Sequence, residues 1–170
     1  MILGNKLKFA IEYELDKQYG GEWLFGKFCY WIGGQCIGNY DLGTSLRDVL
    51  FQVESILRDN GNRTNNKLFI LDSIDLFNRL NNALYACDID IYDSLAIEET
   101  WARHNVSLPI DILDDWKIFM VENNTKIRII IKNVLEQSIK ETTLVPGEFD
   151  NVISELFKEL NSFDSEIEKN

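Results

Sequence analysis

Apolar positions along the chain switch between two periods, and each switch marks an element. Leu7, Phe9, Ile11, Tyr13 and Leu15 alternate with Lys8, Ala10, Glu12 and Glu14, the period of a strand with one buried face. From Trp23 to Ile32 both parities are apolar, with Phe28, Tyr30 and Ile32 on one side and Cys29 and Trp31 on the other. That pattern predicts a central strand covered on both faces. A two-residue turn at Gly33-Gly34 then sets Ile32 opposite Gln35, Trp31 opposite Cys36 and Cys29 opposite Gly38. After Gly43 the period becomes helical: Leu46, Val49, Leu50, Val53, Ile56 and Leu57 form one stripe, with Thr44 or Ser45 as its cap and Asn60-Gly61 as its end. A shorter stripe of Ile74, Phe77, Leu80 and Leu84 predicts a helix capped by Ser73 and running to about Tyr85. Residues 86–115 are the least regular part.

Trp116–Glu122 and Thr125–Ile131 read as a hairpin around Asn123-Asn124, which tolerate the positive φ of a tight turn. In that register Met120 faces Ile127, Ile118 faces Ile129 and Trp116 faces Ile131. One face is then wholly apolar, while the other mixes Phe119 and Val121 with Lys117, Lys126 and Arg128. A further strand is expected within Ser138–Val145. Pro146 precedes a last helix with Phe149, Val152, Ile153, Leu156, Phe157 and Leu160 on one stripe. Strands at both ends with helices between them predict an α+β fold: one mainly antiparallel sheet packed with about three helices. Residues 1–162 are expected to form a single globular domain, and residues 163–170 a frayed acidic tail.

A chain of 170 residues, 45% hydrophobic and 12% aromatic, can bury a substantial core. Neither a secretory leader pattern nor a membrane-spanning run is present, so a cytoplasmic location is expected. Cys29, Cys36 and Cys87 agree with that compartment. Cys29 and Cys36 are only diagonal neighbours in the hairpin, a spacing outside the usual disulfide range, so the cysteines read as small buried hydrophobes. The formal charge of −11 is regional. Residues 86–115 hold eight acids against Arg103 alone, a local charge of −7, and residues 148–170 hold seven against Lys158 and Lys169, a local charge of −5. Such a field repels nucleic acid and anionic membrane and attracts a basic protein.

Catalytic chemistry finds little support. His104 is the only histidine, with no neighbouring nucleophile pattern, and reads as a surface or partly packed residue. Asp88, Asp90 and Asp93 begin a stretch in which Glu99 falls at the twelfth position, as in a calcium loop. Tyr92 and Asp93, however, replace an oxygen ligand and the turn glycine. Gly20-Gly21 and Gly33-Gly34 lack the lysine or the spacing of a phosphate cradle. No cofactor, metal or catalytic residue is therefore assigned. A carboxylate-dependent hydrolase would need two acids converging in a pocket with perturbed pKa values, and a generic acidic adaptor or nucleic-acid mimic would bind many basic partners.

The run GEWLFGKFCYWIGGQCIGNYDLGTSLRDVL (Gly21–Leu50) resembles the bacterial immunity proteins grouped as immunity protein forty-two. The segments DWKIFMVEN (Asp115–Asn123) and PGEFDNVI (Pro146–Ile153) resemble that family's later hairpin and closing helix. The resemblance is weakest between Tyr85 and Asp114. It implies a protein encoded beside a polymorphic toxin of the contact-dependent growth inhibition type, which protects its producer by binding the toxin's C-terminal domain. A basic nuclease domain would suit the acidic charge. Partner contacts are expected in the irregular acidic segment, at Asp88, Asp90, Tyr92, Asp93, Glu98, Glu99 and Trp101, with Asp111, Asp114 and Asp115 alongside. Replacing Asp88, Asp90 and Asp93 with Asn should slow toxin association and flatten its salt dependence in stopped-flow measurements; unchanged kinetics at low and high salt would place the steering surface elsewhere.

Overall fold

The computed structural model describes residues 1–16, 24–85, 100–136 and 138–167. Within them the α+β expectation holds, with one change: the strands form two antiparallel sheets instead of one. The first contains β1 (Ile2–Gly4), β2 (Phe9–Leu15), β3 (Phe25–Ile32) and β4 (Gln35–Ile37) in that order, with β5 (Thr44–Ser45) also paired to β3. The second is β6 (Trp116–Glu122), β7 (Ile127–Asn133) and β8 (Ile139–Leu144). Where β4 and β8 approach, side chains make the link: Lys140 Nζ donates to Gln35 Oε1 at 2.7 Å.

The Gly33-Gly34 turn has the predicted register, Ile32 opposite Gln35 and Trp31 opposite Cys36. Cys29 is buried and Cys36 only half-buried, and both are free thiols; Cys87 lies outside the described residues. The second hairpin closes differently. Asn123–Lys126 form a four-residue connection, the Asn123 side chain accepting from the N–H groups of Thr125 and Lys126, and Met120 pairs with Ile129, Ile118 with Ile131. The expected pairs are thus shifted by two residues, and because strand side chains alternate with period two the shift leaves every residue on its expected face. Lys126 moves into the turn.

Helix α1 (Leu46–Arg58) starts at Ser45, whose Oγ accepts from Asp48 N–H at 3.1 Å, and buries Leu46, Val49, Leu50, Val53 and Ile56. A short α2 (Asn66–Phe69), capped by Asn65, was not legible in the pattern. Helix α3 (Ser73–Tyr85) is capped by Asp72, one residue before the expected Ser73, through the N–H groups of Ile74 and Asp75. Its buried residues are Leu76, Phe77 and Leu80, whereas Ile74 is 62% exposed. Helix α4 (Glu148–Ile167) buries Phe149, Val152, Ile153, Leu156 and Leu160 and continues into the stretch expected to fray, with Phe163 packed on the core.

Two cores result. The larger lies among α1, α4, the inner face of the first sheet (Phe9, Ile11, Tyr13, Phe28, Tyr30, Ile32) and one face of the second (Ile118, Met120, Ile129, Ile131). The smaller covers the other face of the second sheet, where Phe119, Val121 and Ile130 meet Leu68, Leu76, Phe77 and Leu80 of α2 and α3. Charges on that face serve the packing. Arg128 forms a two-pronged pair with Glu141, 2.7 Å on each prong, and donates from Nη1 to the carbonyls of Phe69, the last residue of α2, and of Leu71 just beyond it. Ile129 is fully buried in the larger core. An Ile129→Asp chain should lose several kcal/mol from a total of about 5–15 and show no cooperative melting at 37 °C or above, because an unpaired carboxylate replaces a core side chain; an unchanged Tm would mean that this face is not the core.

A candidate partner-binding groove

Two glycines bring the walls of a surface groove together. At Gly26 a Cβ atom would lie 2.1 Å from the Glu14 carbonyl oxygen and 2.8 Å from Leu46 Cδ1, so only glycine lets the start of α1 sit this close to β2 and β3. At Gly38, with φ of +104°, a Cβ would meet Leu113 Cδ2 at 2.8 Å. There the next amide, Asn39 N–H, donates to the Ile112 carbonyl at 3.1 Å and fixes a short 3-10 turn, Asp111–Leu113, against the exit of β4. Between that turn and the first half of α1 lies a groove of about 400 Å³. Phe25, Thr44, Asp48, Phe51, Pro109 and Asp111 are among its lining residues, and among the described residues no lysine or arginine lines it. Phe25 is 45% and Phe51 54% exposed, so both rings offer apolar surface to a partner.

Of the residues expected to meet a partner, Asp111 lines this groove. Asp114 and Asp115 are exposed just beyond it, at the end of the 3-10 turn and before β6, with the Asp115 carbonyl accepting from Val134 N–H. Trp101 goes elsewhere. It opens a second 3-10 turn, Trp101–His104, and packs half-buried against the smaller core, across the second sheet from the larger one. Asp88, Asp90, Tyr92, Asp93, Glu98 and Glu99 lie outside the described residues, as does the calcium-like spacing they contain. Phe25, Asp48 and Phe51 were not singled out in the sequence, although Phe51 left a signal: it is an aromatic residue off the α1 stripe, so the core does not claim it.

A second polar assembly is wholly internal. Arg63, 0% exposed, donates from Nε to the Arg103 carbonyl at 2.8 Å, from Nη2 to the Ile56 carbonyl at 2.5 Å and from Nη1 to Asp150 Oδ1 at 3.3 Å. Glu122 is buried nearby, its backbone N–H bonded to the Arg63 carbonyl and its Oε1 without a hydrogen-bond partner among the described residues. Burial pushes both carboxyls up from their ordinary values, more than the attraction of Arg63 offsets; for Glu122 the negative charge of Asp150 adds to the rise. These perturbed acids line the core and not the groove, so they do not form the open carboxylate pair a hydrolase requires. His104 is also fully buried, with Nδ1 2.8 Å from the Met120 carbonyl, contrary to the surface or partly packed position expected of it. It is held by the edge of β6, where Asn105 bridges to Phe119.

Among the described residues no helix is long and apolar enough to cross a membrane, and no group of three or more His, Cys, Asp or Glu side chains could hold a metal ion. The sequence matches, over residues 1–159, the family model described as Immunity protein 42. No curated protein matches the chain. Among solved structures, the crystal structure of CdiI from Burkholderia dolosa AUO158 shares the fold, with a TM-score of 0.73 at 22% identity, covering 94% of this chain and 99% of that one.

The internal carboxyls make a pH test available. A native carboxyl pKa raised above its unfolded value means that ionised Glu122 costs stability at neutral pH. That cost fades as pH falls through the raised value toward the ordinary 4.5. Glu122→Gln should therefore melt higher than the parent at pH 7, and the gap should close by about pH 4.5; a gap constant across that range would show that Glu122 is not ionised at a cost in the folded protein.

Proposed function

The chain belongs to the Immunity protein 42 family, and from that premise we propose that it protects its producing cell by binding the C-terminal domain of one cognate toxin in the cytoplasm. Inhibition on this reading is by occupancy, with no turnover. The family match is the observation that carries the proposal, and the charge distribution supports the kind of partner. A toxin that cleaves nucleic acid needs a cationic surface to hold phosphate, and a chain of formal charge −11 complements that surface. The acidic segment from Asp88 to Glu99, with Asp111, Asp114 and Asp115, is the proposed steering surface: exposed carboxylates accelerate encounter, whereas buried contacts hold the complex.

Binding without turnover has a distinct titration. When the toxin domain encoded beside this chain is assayed for nucleic-acid cleavage, its activity should fall linearly with added protein and reach zero at a fixed molar ratio that does not change with incubation time. Progressive loss at a small fraction of one equivalent would mean that the chain acts on the toxin as an enzyme, and full cleavage at molar excess would remove the immunity reading altogether.

A further inference from the structure

The groove beside α1 shows what part of a partner it suits. Its walls are rigid: Ser45 caps α1, Gly26 seats that helix on the first sheet, and Ile110, Ile112 and Leu113 anchor the opposite turn in the larger core. Two carboxylates, Asp48 and Asp111, line it together with the rings of Phe25 and Phe51. The neighbouring cation, Arg47, pairs with Asp164 at 3.2 Å and lies over the Phe51 ring, 5.7 Å from its centroid, so a guanidinium already sits against one of the groove's aromatic rings. The first helical turn could favour an anion, but Ser45 Oγ already accepts from the Asp48 N–H, and the described lining residues carry two negative charges and no positive one. Aromatic rings beside carboxylates are the surroundings a guanidinium uses best, because its plane stacks on a ring while its edge donates to oxygen.

We propose that this groove receives an arginine side chain of the toxin domain, the guanidinium pairing with Asp48 and Asp111 and its stem covering Phe25 and Phe51. The proposal rests on the toxin-binding reading and deepens it by separating two roles. The acids outside the groove steer the approach, and the groove holds the docked complex, with Asp111 at the junction of the two. Other exposed apolar residues, such as Ile70 and Ile74 at the α2–α3 junction, line neither this groove nor the cavity between β4 and β8.

The test uses the full chain and the catalytically inactivated toxin domain encoded beside it. Phe51→Ala and Asp111→Asn alter exposed side chains, so both variants should keep the parent's Tm, and each should weaken toxin binding at least tenfold, chiefly through faster dissociation. Crossing Asp111→Asn with alanine replacements of the toxin's surface arginines should reveal one arginine whose effect is largely lost in the double variant. Hydrogen-exchange footprinting of the unmodified pair gives a readout free of any substitution, with protection expected at residues 43–52 and 109–113. Parent-like affinity in both variants, or a footprint over Ile70 and Ile74 instead, overturns the groove while leaving toxin binding intact. Failure of the parent itself to bind removes the function on which the groove proposal rests.

Discussion

The buried Arg63 guanidinium is the constraint around which the architecture is arranged. It lies in the connection between α1 and α2 and is fully enclosed, so its charge must be answered inside the protein. Three distant parts of the chain supply the answer: the last turn of α1 through Ile56, the Trp101–His104 turn through Arg103, and the first turn of α4 through Asp150. The ring of Phe149 lies 5.8 Å from the guanidinium and links it to the larger core. Removing one partner of such a buried pair typically costs about 3–5 kcal/mol, since the charge left behind has no solvent. The arrangement therefore ties the end of α1, the Trp101–His104 turn and the start of α4 to one point.

From that fixed point the two cores divide the work. The second sheet is covered on both faces, by the larger core on one side and by α2 and α3 on the other. Its β6 edge is also closed, because Glu122 bonds to the backbone on either side of Thr64 and Asn105 bridges to Phe119. Little of that sheet is left to present to a partner. Beside the first sheet, by contrast, two aromatic side chains that the cores do not use reach the surface next to α1. Phe25 points away from the Phe28–Tyr30–Ile32 face, and Phe51 lies off the buried stripe, which leaves both rings at the surface on rigid elements. A preorganised apolar surface of this kind loses little conformational freedom when a partner covers it.

Charge acts at two ranges. Carboxylates spread over the surface create a field that extends about a Debye length and governs encounter with a cationic domain. Carboxylates in a confined groove act at contact, where geometry decides their value. Buried carboxyls such as Glu122 and Asp150 belong to neither group, because burial makes their ionised form costly; Asp150 pairs with Arg63, and Glu122 meets it through a backbone N–H on the Arg63 carbonyl.

Local periodicity alone determined most of the elements. The β3–β4 turn and its register, the α1 stripe with its Ser45 cap, the extent of α3 and the stripe of α4 were all legible, because each depends on residues near one another in sequence. The faces of the β6–β7 hairpin were legible for the same reason, and its pairing was not: parity survives a shift of two, whereas loop length is set by the Asn123 hydrogen bonds. Only the tertiary structure decided that there are two sheets, that Ile74 faces solvent while His104 is enclosed, and that Asp111 joins Phe25, Asp48 and Phe51 in one groove. Arg63 shows why. A lone arginine in a polar loop reads as a surface residue, and nothing within a few positions of it could supply the carbonyls of Ile56 and Arg103 and the carboxylate of Asp150 that allow it to be buried; those groups converge only once the chain has folded.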